Sequence, residues 1–261
     1  MGIFLLPVMT IWQREIIRFL RQRSRLVSAL AQPLVFWLLL GGGLNASFRP
    51  AGIPDGTSYI EYFYPGIITL VLLFTAIFAT ISIVQDRREG FLQGVLVAPV
   101  SRWGIVLGQA AGGTTLALLQ ATFFLLLSPT IGISPSVFSV LSTIGVMFLL
   151  SFGLTNLGLM IAWRMDSTQG FHAIMNLILI PVWLLSGAFF PASGVPLLLA
   201  WPMKLNPLTY GVAALRRCLY LSTPTAAGEI PQLTLSLLVT SLFCLVTYLG
   251  AARTASSSIR S

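Results

Sequence analysis

The side chains that could move a proton, hold a metal or attack a substrate are few in this chain, and their spacing brings no set of them together. Glu61, Asp86, Glu89 and His172 flank long apolar stretches instead of lying within them, whereas a proton relay or ion-coupled path places such groups inside the spans. His172 is the chain's single histidine and reads as an interfacial anchor. Ser186-Gly187 and Ser193-Gly194 lack the G-x-S-x-G frame of a serine nucleophile, and His172 is expected at the opposite end from both. Cys218 and Cys244 have no C-x-x-C or Cys/His spacing and read as small apolar residues. No G-x-x-x-x-G-K-[ST] loop is present to cradle nucleotide phosphates. These residues imply neither an enzyme nor a cofactor bound by this chain, so energy for uphill work would have to come from another subunit.

The richest polar stretch is QDRREGFLQGVLVAPVSR, residues 85–102. A charged opening (Asp86, Arg87, Arg88, Glu89) runs into an apolar series (Phe91, Leu92, Val95, Leu96, Val97) and stops at Pro99. That pattern suits a short helix lying against the membrane with one face offered to a soluble partner. A second basic element precedes the first apolar stretch. Arg14, Arg18, Arg21 and Arg25 recur at helical spacing, with Trp12, Ile16 and Phe19 on another face, so residues 8–25 read as an amphipathic interfacial helix.

The elements that position these groups follow from composition. With 56% apolar and 8% charged residues and a mean hydropathy of +0.90, the 261-residue chain lies far from the soluble range, where about a quarter of residues are charged. The net charge of +8 is spread through apolar sequence, with no polar domain to bind nucleic acid, and anionic lipid headgroups are its expected electrostatic partner. A helix needs about 20 apolar residues to cross the bilayer. Cutting at charges and Pro/Gly clusters gives six spans, 26–44, 62–84, 103–127, 137–163, 171–190 and 231–252. The interval 103–163 holds no charge at all and must cross twice, turning at 128–135. No period-two alternation suggests a barrel, so the expected fold is an all-α membrane bundle.

Eleven Lys/Arg residues fall on one side of this arrangement (Arg14, Arg18, Arg21, Arg23, Arg25, Arg87, Arg88, Arg102, Arg164, Arg253, Arg260). Four fall on the other (Arg49, Lys204, Arg216, Arg217). This bias puts both termini in the cytoplasm, with Arg216 and Arg217 expected near the outer headgroups. The first apolar patch, 3–9, precedes the basic residues and leads into no cleavage site, so the N-terminus is expected to be retained. Residues 191–229 are too apolar for an exposed loop and too broken by proline to cross. They read as an outer re-entrant helical hairpin, 197–203 and 209–221, with Asn206 capping the second helix and Pro207 in its first turn.

In order and spacing, YFYPGI (62–67), DRREGFLQGVLVAPVSR (86–102) and LNPLTYGVAALR (205–216) resemble the ABC-2 family of exporter permeases. These are membrane subunits related to daunorubicin-type drug exporters, lipo-oligosaccharide (nodulation) exporters and O-antigen or teichoic-acid exporters. The resemblance covers essentially the whole chain. It implies a permease dimer, two copies of this chain or this chain with a related one, bound to two cytoplasmic ATPase subunits that hold ATP and Mg²⁺. It assigns Glu15 and Arg18 to one docking element and Asp86, Arg87, Arg88, Glu89 and Gly90 to a second that transmits ATP-driven closure. It also implies a substrate path between protomers along spans one, two and five, for which Trp37, Tyr62, Phe63, Phe74, Phe78 and Trp183 are candidates by span. The re-entrant motif supplies Asn206, Pro207, Tyr210, Gly211 and Arg216. Ala213-Ala214 stand where related drug-exporter-like members often carry an acidic residue.

The implied function is ATP-driven export of an amphipathic, drug-like or lipid-linked molecule across the cytoplasmic (inner) membrane. A polysaccharide or glycolipid cargo remains open, as do a non-transporting scaffold or assembly factor and an ion-coupled carrier.

Overall fold

The most apolar interval becomes the axis of the molecule. The computed structural model describes residues 2–22, 31, 33–44, 56–92, 94, 100–193, 195–221, 227 and 230–257. Among these, the helices are α1 (Gly2–Arg21), α2 (Pro33–Gly42), α3 (Tyr59–Arg88), α4 (Arg102–Leu126), α5 (Val137–Ala162), α6 (Thr168–Ala188), α7 (Leu197–Leu205), α8 (Pro207–Leu219) and α9 (Leu233–Ser257). No strand is found among the described residues.

Five of these helices, α3, α4, α5, α6 and α9, are long and apolar enough to cross a membrane. The expected first span, 26–44, lies partly outside the described residues. Its described part, α2, is a short apolar helix that becomes π-helical from Trp37 to Gly42. The second span is longer than the sequence suggested: the helix runs from Tyr59 to Arg88 instead of 62 to 84. Its end carries Asp86 and Arg87, and these charges are matched within the chain, so the helix need not stop where the apolar run stops.

Burial grades outward from α3. Its apolar window is 89% buried, against 61% for α4, 44% for α5 and 33% for both α6 and α9. Thus α3 is the packing axis, and the outer faces of α6 and α9 carry exposed leucines, including Leu177, Leu238 and Leu242. Helix α9 lies mainly on α5, while α8 touches both. Close approach relies on small residues, as expected where dispersion and not hydrophobic exclusion holds helices together. A Cβ at Gly66 of α3 would lie 2.6 Å from the Ala188 carbonyl oxygen of α6, and one at Gly112 of α4 would lie 2.7 Å from Glu15 Cβ of α1.

Local capping sets the starts of the helices. Ser58, Ser136 and Ser167 accept backbone N–H groups at the starts of α3, α5 and α6. Asn206 Oδ1 accepts from Leu208 N at 3.0 Å with Pro207 in the first turn of α8, and Asn206 alone joins α7 to α8. The α4–α5 connection is a 3₁₀ turn, Ser128–Ile131, ended by Gly132 at φ 89°.

Candidate functional site

At one end of α3 lies a set of charges and at the other a set of rings. At the basic end, the Asp86 carboxylate is 2% exposed and receives a two-pronged bond from Arg14, Nη2 to Oδ1 at 2.6 Å and Nη1 to Oδ2 at 2.7 Å. Arg18 adds Nη1 to Oδ1 at 2.7 Å and Nη2 to Gln85 Oε1 at 2.8 Å. Fork-on-carboxylate geometry is the strongest form of such a pair, and it pins α1 to α3. Glu15, 7% exposed, faces Ser82 and takes a 3.3 Å bond from Arg14. Burial pushes the Glu15 carboxyl above the usual carboxylate range, partly countered by the Ser82 hydrogen bond. The hydrogen bond to Asp86 raises Arg14. Trp12 Nε1 donates to Thr115 Oγ1 of α4 at 3.0 Å, so α1 is held by two helices.

Arg87 turns the other way. Its Nη2 donates to Trp163 O at 2.5 Å and its Nη1 reaches Asp166 at 2.9 Å, tying the end of α3 to the end of α5. Of the seven residues expected to dock an ATPase, Glu15 and Asp86 are buried inside the chain, and Arg18 and Arg87 are engaged in its braces. Arg88, Glu89 and Gly90 are exposed. The reason is charge matching, because an Asp at the edge of the bundle is held by two guanidinium groups from the preceding basic helix. Next to this rim Phe91 stays 45% exposed with Arg14 over its ring at 3.9 Å. Residues 95–99 of the expected apolar run lie outside the described residues.

At the aromatic end Tyr59 stacks on Phe63 with centroids 5.7 Å apart, and Phe63 meets Trp183 and Phe189 edge-on at 5.9 and 5.7 Å. Trp183 Nε1 donates to Gly66 O at 2.9 Å, and Tyr62 OH donates to Gly187 O at 2.9 Å. Gly187 sits at φ 75° inside the π-helical end of α6, a conformation suited to glycine. Its carbonyl thereby meets both Tyr62 and Arg216. The expected path residues Tyr62, Phe63 and Trp183 are therefore packed inside this chain at 3%, 0% and 2% exposure, and Trp37 is buried against Tyr64. The cause is the central position of α3, which leaves its aromatic faces covered. Phe74 and Phe78 are half-buried, with Phe78 4.9 Å from the His172 ring.

Arg216 does not sit at a headgroup surface. It is 2% exposed, with its guanidinium 4.0 Å over the Tyr62 ring and Nη2 donating to Tyr62 O at 3.1 Å and Gly187 O at 3.4 Å. Arg217, half-buried, donates to Ile230 O and Pro231 O. Arg216 is taken up by a carbonyl of α3 and by that of Gly187, and Arg217 is partly covered by the carbonyls of the segment that leads into α9. Asn206 and Gly211 also face inward: Asn206 Nδ2 donates to Val182 O at 2.7 Å, and a Cβ at Gly211 would strike Leu150. Tyr210 OH donates to Lys204 O, within the hairpin.

Sequence reasoning missed Arg14, Tyr59, Gly187 and Phe189. Arg14 registered only as one of a basic stripe, since no local signal pairs it with a carboxylate 72 residues away. Gly187 was visible as Ser-Gly, where its position in an otherwise apolar helix was the available cue to a break. Among the described residues no three His, Cys, Asp or Glu side chains gather as a metal site would require.

The sequence matches the ABC-2 type transporter family over residues 7–220. The candidate transport permease ycf38 of Cyanophora paradoxa is 30% identical over 217 residues, covering 82% of this chain and 74% of that protein. Nodulation protein J of Rhizobium meliloti (strain 1021) is 26% identical over 209 residues, 79% of this chain and 78% of the relative. Nodulation protein J of Rhizobium leguminosarum bv. viciae is 24% identical over 258 residues, 95% of each chain. With its apolar helical bundle and a family match running from the basic helix through the Arg216 motif, the chain belongs to the ABC-2 type transporter family as a membrane-spanning permease.

Proposed function

We propose that the chain is the permease subunit of an ATP-driven exporter that moves an amphipathic, drug-like or lipid-linked molecule outward across the cytoplasmic membrane. Two copies of a cytoplasmic ATPase, with their ATP and Mg²⁺, bind at the basic end, and both termini lie on that side. The observation carrying this reading is the rim that remains open after internal pairing. Arg88, Glu89, Gly90 and Phe91 project from the end of α3, the helix on which the rest of the bundle is packed.

Helix α3 spans 30 residues, about 45 Å at 1.5 Å per residue, so a displacement of its charged end is delivered to the aromatic latch at the other. Asp86, Glu15, Arg18 and Arg87 then act as coupling residues, carrying the movement into α1 and α5, while Arg88, Glu89 and Gly90 touch the ATPase. A second permease copy covers the open face of α6, where between Thr168 and Trp183 only Phe171, Met175, Leu179 and Trp183 are buried and Asn176 lies exposed. The α7–α8 hairpin re-enters the outer leaflet there, with Leu197, Leu198 and Leu205 exposed to lipid.

Between the two cargo classes, relatives named for nodulation support a lipid-linked saccharide, in keeping with the resemblance to lipo-oligosaccharide exporters. The test is affinity purification of the tagged full chain from its native membrane in mild detergent. An associated P-loop ATPase, stimulated by lipid-linked oligosaccharide, is the expected result. A chain that purifies without any such subunit would leave the scaffold reading in its place.

A further inference from the structure

The buried guanidinium of Arg216 lacks what a buried charge ordinarily requires. A charge removed from water is tolerated when an opposite charge and hydrogen bonds replace its hydration. Arg216 is 2% exposed, yet among the described residues its hydrogen bonds go only to neutral carbonyls, Tyr62 O and Gly187 O, and its Nε has no partner. Among the described residues no carboxylate stands within ion-pair distance of it. The acidic residue beside Tyr62, Glu61, turns away: Glu61 Oε1 lies near Gly132, 3.6 Å from where a Cβ there would be.

A cavity of about 40 Å³ adjoins the guanidinium, lined by Tyr62, Ser186, Gly187, Thr209, Ala213 and Arg216 among others. At about 10–15 Å³ per water, it holds a cluster of roughly three waters or one small oxyanion head. Ser186 and Thr209 already donate their hydroxyl hydrogens to backbone carbonyls, so their oxygens present acceptors and not counter-charge. A neutral ligand would leave the cation uncompensated. A phosphate oxyanion matches the planar fork of an arginine.

We infer that Arg216 and the cavity between α3, the Gly187 break and α8 form a binding site for a phosphate oxyanion, carried either by an amphiphile or by free phosphate. The site stands independently of transport and of the ATPase, since it rests only on this chain's own geometry.

The experiment uses the full chain in neutral-detergent micelles and follows its thermal unfolding with three probes: dihexanoyl phosphatidate, inorganic phosphate and uncharged dihexanoylglycerol. A saturable rise in melting temperature with phosphatidate, and none with dihexanoylglycerol, is expected. A response to phosphatidate alone identifies a lipid headgroup, and an equal response to inorganic phosphate identifies the soluble ion. In Ala213→Asp a carboxylate one helical turn before Arg216 occupies the cavity, and phosphate affinity should fall about tenfold or more, the worth of a charge-assisted hydrogen bond. Lys204→Gln, whose ammonium lies over the Trp201 ring and outside the cavity lining, should respond as the wild type does. The inference is overturned if the wild-type chain responds to none of the phosphate probes, which needs no variant to fold. It is also overturned if Ala213→Asp responds undiminished, or if only Glu229→Gln responds, which would make that acidic residue the guanidinium's own counter-ion.

Discussion

The two ends of α3 are fastened by different physics. At the basic end long side chains reach across from α1, and the grip is ionic: one carboxylate, Asp86, between the guanidinium groups of Arg14 and Arg18. At the aromatic end the grip is made of ring contacts and of side chains bonded to carbonyls, Tyr62 to that of Gly187 where α6 unwinds and Trp183 to that of Gly66 in α3. The first kind of fastening answers to charge, salt and pH. The second answers to shape. The proposed export by a soluble engine would use such a division, a polar handle that a partner can pull and a close-packed latch that opens only when pulled.

The largest effect should come from removing the shared carboxylate. Asp86→Asn leaves two guanidinium groups facing each other and should cost about 3 kcal/mol, the low end for breaking a buried pair because both arginines keep some solvent. Thermal unfolding in detergent should show the loss, and faster proteolysis of α1 should accompany it. At the other end, Gly66→Ala presses a methyl group against the Ala188 carbonyl and should cost about 1–3 kcal/mol. The loss should be insensitive to salt, whereas that of Asp86→Asn should shrink as salt rises. If both variants show the same salt dependence, the division between the ends is wrong.

The smallest effect is a pH dependence confined to the basic end. Glu15 is held above the usual carboxylate range by burial, with Arg14, Arg18, Asp86 and Ser82 around it. A raised folded-state value means that the folded chain holds the proton more tightly than the unfolded one. The stabilisation is therefore complete below the ordinary glutamate value of about 4.3 and fades as pH rises through the raised value. Glu15→Gln, which keeps the neutral form, should flatten the fall in melting temperature with rising pH. An unchanged slope would place the titration elsewhere.

Much of this architecture was legible in the chain. Five of the six expected spans followed from uninterrupted apolar runs, and the Asn206-Pro207 start of α8 from cap and proline chemistry, because both signals are local. The partners of Asp86 were not legible, since ion pairing across 72 residues leaves no periodicity to read. The same gap moved the end of α3 outward, as charges that mark a helix end in isolation sit comfortably inside one when paired. Tyr62, Phe63 and Trp183 were candidates for the path by their spans alone, and hydropathy does not say which helix lies at the centre. Arg216 was counted as a surface charge for the same reason: sequence shows the cation and not the carbonyls that a broken helix turns toward it.

In the proposed function the exposed rim at the end of α3 receives the ATPase, while the buried charges beside it hold the permease together. The direct test is co-purification and thermal unfolding of one double variant, Arg88→Glu with Glu89→Arg, beside the wild type. The expected result is loss of the ATPase with a melting temperature close to that of the wild type, because both side chains are exposed and form none of the ion pairs of the braces. Full retention of the ATPase by that variant would contradict it.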